Sequence, residues 1–333
     1  PLIGAALGRQ DGLGPAFADL AKLAAQPGLP AALLAAAQQA LGARLEDSAP
    51  LDGPALKQAF RQSGLLHEAD ALAGKLAGGQ VSDLKGALLA LRQALMAALQ
   101  QEGAVKGGAM PNSSADIAPR AAAAEGGEPA PPPPLPLPKA SAQADQGLRP
   151  PPPLRDALPL PQAAAVGSIG PEDAGPAMMA KALSTVDAAL DRISIAQYAS
   201  LPSLPEAASA PLQRWFAELP LALPTGTAIL PIEIEEDRGG ARTGAASSRL
   251  WRMRFALDVE PMGPVHGLVT LQGQTIGVSL WAERDGTRRL AADHAQDLRE
   301  ALLGGFERAE IEIMAGRPQR EGSAAGHFLD RKS

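Results

Sequence analysis

The stretch RLWRMRFALDV, Arg249–Val259, places Trp251, Met253, Phe255, Leu257 and Val259 on one side of a two-residue period and Arg252, Arg254 and Asp258 on the other. That alternation predicts a half-buried β-strand. After the turn EPMGP a second strand carries Val265, Val269 and Leu271 on one face. The step at Gln272–Gln274 leads into a third, where Ile276, Val278, Leu280 and Ala282 alternate with Thr275, Ser279 and Glu283. Two such runs across a short glycine-containing loop form a hairpin.

Beyond Asp285 and Gly286 the period becomes helical. Leu290, His294, Leu298 and Leu302 recur every four residues, Ala291, Ala295 and Ala301 widen the stripe, and Thr287 is placed to cap the start. Gly304 and Gly305 end the helix, and RAEIEIM then alternates Ala309, Ile311 and Ile313 with Glu310 and Glu312. The expected fold class is α+β: a mostly antiparallel sheet with one helix packed on it, in the order β-β-β-α-β. Upstream, Ile232 and Ile234 alternate with Glu233 and Glu235, and Pro231 marks this run as an extra N-terminal edge strand. The C-terminal unit is thus expected over residues 225–316, followed by a flexible tail, 317–333.

Residues 1–104 are rich in alanine and leucine and read as an all-α region of short helices. Pro15, Pro30 and Pro54 stand near helix starts, where a missing N–H does no harm. The longest helix is expected to begin with Ser82 as its cap and to line up Leu84, Leu88, Leu91, Leu95 and Leu99. That stripe reads as bundle core. With Phe17 and Phe60 as its aromatics, the bundle is expected to be weakly packed.

From 105 to 176 the composition changes: 17 of the 32 prolines lie between Pro111 and Pro176. Such a segment is expected to be a long disordered linker with polyproline II pieces, reaching on the order of 200 Å at ~3.1 Å per residue. Pro150, Pro153 and Arg155 fit a PxxPx[KR] docking pattern, which so proline-dense a stretch also matches by chance. Residues 177–224 read as short helical segments, with Met179, Leu183, Val186, Leu190 and Ile193 at helical spacing and PLQRWFAELPL as an amphipathic turn.

The 333 residues contain no cysteine, which excludes disulfides, thiolate metal sites and cysteine nucleophiles. It also suits a chain that must travel unfolded. A net charge of -6 and a pI near 5.4, with no basic stripe, argue against a nucleic-acid partner. No apolar run is long enough to span a bilayer, so no membrane span is expected. The histidines His67, His266, His294 and His327 lack metal-ligand spacing, and His294 reads as a core or boundary residue on its helix. Glu233 with Glu235, and Glu310 with Glu312, share strand faces without an apolar surround and read as solvated. GGARTG lacks the GK[ST] ending of a phosphate loop, and VGSIG lacks the first glycine of a nucleophile elbow. These absences point away from an enzyme, a cofactor or a metal, and towards a binding or structural protein.

The helical start, the proline-rich middle and the C-terminal unit with FALDVEPMGPVHGLVTL, TIGVSLWAE and LREALL together resemble the flagellar hook-length control protein, chiefly over Arg249–Gly316. In that family a strand with alternating leucines leads to a proline, a Leu-Gly step and a valine-rich strand. Here Leu257 and Val259 lead to Pro261, Met262 and Gly263, then Val265, with the proline often standing two residues further from the glycine in the family. The resemblance implies a monomeric molecular ruler, exported from the cytoplasm through the flagellar type III apparatus and touching hook and hook-cap subunits. It also implies a C-terminal domain that meets the cytoplasmic domain of the export-gate switch protein and changes the export preference from hook to filament subunits. The switch surface implied lies at Pro261, Met262, Gly263 and Val265, with Arg288, Arg289 and Leu298. An injectisome needle-length ruler shares this layout, and a non-exported adaptor using the linker as a spacer stays open beside it.

Overall fold

The strand beginning at Leu250 is the third of a longer meander. In the computed structural model, which describes residues 2–46, 52–73, 83–107, 149–155, 157–202, 213–237 and 249–319, a seven-stranded sheet is ordered β1 to β7 in sequence. Its strands are β1 (Leu45–Glu46), β2 (Gln213–Leu223), β3 (Gly226–Asp237), β4 (Leu250–Val259), β5 (Gly263–Gln272), β6 (Thr275–Ala282) and β7 (Arg308–Ala315). β2 to β6 pair antiparallel, whereas β1 joins β2 and β7 joins β6 in parallel. One register row runs Trp215, Ile234, Met253, Val269, Val278, Ile311, so the six longer strands turn one apolar face the same way. Trp215 and Trp251 stack on this face with ring centroids 6.0 Å apart. The neighbouring row, Arg214, Glu235, Arg252, Thr270, Gly277, Glu310, is polar. The β5–β6 hairpin forms as expected, Gln272 pairing with Thr275 across a loop in which Gly273 has φ 60°.

Two expectations about strands are corrected. Residues 213–221 of PLQRWFAELPL are not a helical turn but part of β2: Trp215, Ala217, Leu219 and Leu221 keep a two-residue period, and β3 supplies the ladder. β3 is interior and not an edge. Its proline survives because the β4 ladder begins only at Ile232, leaving Pro231 with β2 alone as a ladder neighbour. The sheet therefore begins well before residue 225.

The helices are α1 (Leu2–Arg9), α2 (Leu13–Ala24), α3 (Ala31–Leu41), α4 (Gly53–Arg61), α5 (His67–Leu72), α6 (Leu84–Gly107) and α7 (Gly175–Ala199). Leu84, Leu88, Leu91 and Leu95 are buried against α3 and α7, with Leu99 packed beside them, as the stripe predicts. Ser82 lies outside the described residues, and the capping side chain is Asp83, which accepts from the Gly86 N–H at 2.9 Å. Ile229 of β3 sits fully buried in this helical core, so helices and sheet share it. Burial of each such leucine contributes roughly 1.5–3 kcal/mol, and Phe17 joins them in one continuous core at 1% exposure.

Residues 108–148 and 156 of the expected linker lie outside the described residues, but 149–155 and 157–174 pack against the rest of the fold. This stretch is a strap laid across helices and sheet. Its Pro150 and Pro151 carbonyls accept from the Arg192 guanidinium at 3.3 and 3.1 Å. Gln162 forms a bridge with Ile229 and donates to Glu218 at 2.6 Å, and the Ile169 carbonyl accepts from Lys22 at 2.5 Å. Arg155 donates to the carbonyls of Ala199 and Leu201, so the PxxPxR segment is engaged inside the chain. Proline-rich chain has few N–H groups of its own to satisfy, and here it is ordered by donors reaching in from other elements.

The expected single helix after β6 is two: α8 (Asp285–Asp293) and α9 (Ala295–Leu303), broken at His294 with φ −94° and ψ 2°. Both pack on β7, and α8 also on β6. The half-buried positions Ala291, Ala295, Leu298 and Leu302 form the inward stripe, whereas Leu290 is 50% exposed. The His294 side chain is 67% exposed and 3.1 Å from Asp297, a correction to its expected place in the core or at its boundary. The order from β4 onward is therefore β-β-β-α-α-β.

Candidate switch surface

β4 and β5 are joined by Glu260, Pro261 and Met262, with Val259 facing Gly263 across the ladder. Gly263 has φ +70°, which favours glycine, and a Cβ there would stand 2.4 Å from the Arg284 Nε, so a side chain would have to displace that guanidinium. The Arg284 guanidinium donates to both Glu260 carboxylate oxygens, at 2.7 and 2.6 Å, and to the Pro261 carbonyl at 2.7 Å. The Arg284 bond holds the exposed Glu260 carboxyl below its ordinary pKa. Thr287 does not cap α8, which starts at Asp285. Its hydroxyl donates to the Met262 carbonyl at 2.6 Å instead. The turn is thus tied by two side chains to the first residues of α8, and it presents Pro261 and Met262 outward, Met262 with 40% of its surface exposed.

Of the expected residues, Pro261, Met262 and Gly263 come together with the start of α8, where Arg288 lies 3.4 Å from Asp285 and Arg289 is exposed. Val265 is one step inward on the apolar sheet face, opposite Leu257 and Ala282. Leu298 stands apart in α9, half-buried on the inward stripe.

Behind the turn, on the other sheet face, His266 is 4% exposed with its Nε2 3.5 Å from Glu283, and burial pushes its pKa down. Burial alone would raise the Glu283 carboxyl, but the bonds from Arg317 and His266 outweigh it and leave it low. Asp258 is raised by burial and by the Glu260 charge.

Sequence reasoning missed a second charged group. Glu233 and Glu235 are 3% and 5% exposed, not solvated, and lie between Arg214 and Arg254 from the flanking strands. Arg214 approaches Glu235 at 2.5 Å and Glu233 at 3.3 Å, while Arg254 approaches them at 2.7 and 3.4 Å. Alternation of Arg214, Arg252 and Arg254 with apolar residues was the available signal. Burial, and then the Glu235 charge, raise the Glu233 pKa. A carboxyl raised on folding stabilises fully below its unfolded pKa and loses that contribution as pH rises through its folded value. Glu233→Gln removes this dependence, so its stability relative to the parent chain is expected to improve between pH 4 and 7, measured by urea unfolding. A constant difference would contradict the raised carboxyl.

Among the described residues no His, Asp and Glu group could hold a metal ion, and no helix is long and apolar enough to cross a membrane. Residues 239–322, which contain the turn, α8, α9 and β4 to β7, match the family model of the flagellar hook-length control protein FliK. These C-terminal residues are thus similar to the flagellar hook-length control family. That family is structural and regulatory rather than enzymatic. The match covers about a quarter of the chain. No curated protein and no solved structure shows a significant match.

Proposed function

We propose that this chain is a hook-length control protein that works in two parts. Residues 108–148, whose composition predicts extended polyproline segments, contribute to the measure of hook length, and the β4–β7 unit changes export preference from hook-type to filament-type substrates. On this reading the chain passes through the flagellar type III apparatus, touches hook and hook-cap subunits, and its Pro261–Gly263 turn meets the cytoplasmic domain of the export-gate switch protein. The observation that carries the reading is that the family match, 239–322, encloses the exposed turn braced by Arg284 and Thr287. The match to a flagellar family favours this over a needle-length ruler or a non-exported spacer.

Two strains test the parts separately. Removing residues 108–148 takes away about 130 Å of reach at ~3.1 Å per residue in polyproline II, and hooks are expected to be shorter yet still carry filaments in electron micrographs. Met262→Asp, a change at an exposed position, is expected to leave the purified chain folded while hooks grow on without filaments. Hooks of unchanged length after the deletion would remove the ruler, and filaments on Met262→Asp hooks would remove the turn as the contact.

A further inference from the structure

Among the described residues β7 is the last strand of the sheet, with no neighbour on its outer side, and its backbone faces can be assigned. Arg308 N–H donates to the Gln274 carbonyl at 3.3 Å and Gly316 N–H to the Ala282 carbonyl at 2.9 Å, at the two ends of a continuous parallel register from Thr275 with Arg308 to Ala282 with Ala315. The even-numbered residues of β7 therefore turn their N–H and C=O groups to β6. By the two-residue period, Ala309, Ile311 and Ile313 turn theirs outward. No hydrogen bond reaches these outward groups among the described residues. The opposite edge, β1, is only two residues long, whereas β7 offers eight.

The side chains determine what such an edge can accept. Ile311 and Ile313 share the face of buried Ile276 and Val278, which α8 and α9 cover, and Glu310 and Glu312 stand exposed on the other. Gly277 and Ser279 face those two carboxylates on β6, so no cation opposes them there. No ion pair engages them among the described residues, and Arg308 is the one cation on β7 itself. A second copy adding its own β7 antiparallel, in either register that pairs seven of its eight residues, sets carboxylate against carboxylate, and like charges directly opposite repel. The edge thus rejects its own kind.

We propose that β7 is a docking edge for an extended basic segment of a partner protein, added as an eighth strand. Lysines or arginines at alternate positions would face Glu310 and Glu312, and the apolar residues between them would prolong the Ile311 and Ile313 face. The proposal does not depend on the ruler or on the turn.

The test uses the full chain and a fluorescein-labelled, end-blocked heptapeptide alternating lysine and valine. Anisotropy is expected to show saturable binding, at least tenfold weaker for a peptide of the same composition with its lysines contiguous and absent for one with glutamate replacing lysine. Hydrogen exchange is expected to slow at the amides of Ala309, Ile311 and Ile313. The double change E310K/E312K, at exposed positions, is expected to reverse the preference to the glutamate peptide. Equal binding of the contiguous-lysine peptide, no response to the charge reversal, or association of two copies through β7 would each overturn the proposal.

Discussion

Glu218→Ala is expected to lower the folding stability by about 3–5 kcal/mol, the usual consequence of leaving one member of a buried ion pair without the other. The Glu218 and Arg192 side chains are 4% and 3% exposed. The guanidinium grips the carboxylate at both oxygens, at 2.6 and 2.7 Å. Its remaining donors reach Gln10 at 2.7 Å and the strap carbonyls. Water has little access to the site, so removing the carboxylate strands a cation that these neutral acceptors solvate only in part. Arg192→Met combined with Glu218→Leu removes both charges and is expected to fall much closer to the parent chain, although Gln10, Gln162 and the strap carbonyls then lose partners. Urea unfolding at pH 7 measures all three. A single-variant loss below about 1 kcal/mol would show that water reaches the pair.

The same arginine shows why part of the fold was legible in the sequence and part was not. β4, β5 and β6 were readable because alternation and local turns are short-range properties, as was the leucine stripe of α6. The strap was not. Its prolines carry no period, and what orders it comes from far along the chain: Gln10 donates to Pro150 across 140 positions, and Asp19 accepts from Ile169 across 150. In β2 the burial of Glu218 was not readable, because the cation that makes it tolerable comes from α7. Glu233 and Glu235 looked solvated because the arginines that flank them belong to other strands. At the candidate site, Pro261, Met262 and Gly263 were legible as a turn, and their role came only from the resemblance. The braces on them were not legible, since nothing about Arg284 or Thr287 in isolation says that the chain returns to place them on that turn.

Asp19→Ala is expected to cost about 3 kcal/mol, since each bond to a charged acceptor contributes roughly 1.5–3 kcal/mol and these share one carboxylate. Asp19 lies in α2 with no exposed surface. Its Oδ1 accepts from the Ile169 N–H at 2.8 Å, and its Oδ2 accepts from the Ser168 and Thr185 hydroxyls at 2.7 and 3.1 Å. One carboxylate thus joins α2, α7 and the strap. Gly167 permits the approach, as a Cβ there would stand 2.2 Å from the Asp19 Oδ1. The alanine variant leaves the Ile169 N–H buried without an acceptor, so the strap is expected to open locally before the rest of the chain unfolds. Hydrogen exchange at Gly167–Gly170 should accelerate by more than exchange in α6, whose leucines pack without Asp19. Asp19→Asn, which keeps one acceptor oxygen, should fall between parent and alanine. Equal acceleration in α6 and the strap would mean that the carboxylate stabilises the whole core and not this tether, whereas unchanged exchange at Gly167–Gly170 would mean that the strap is held without it.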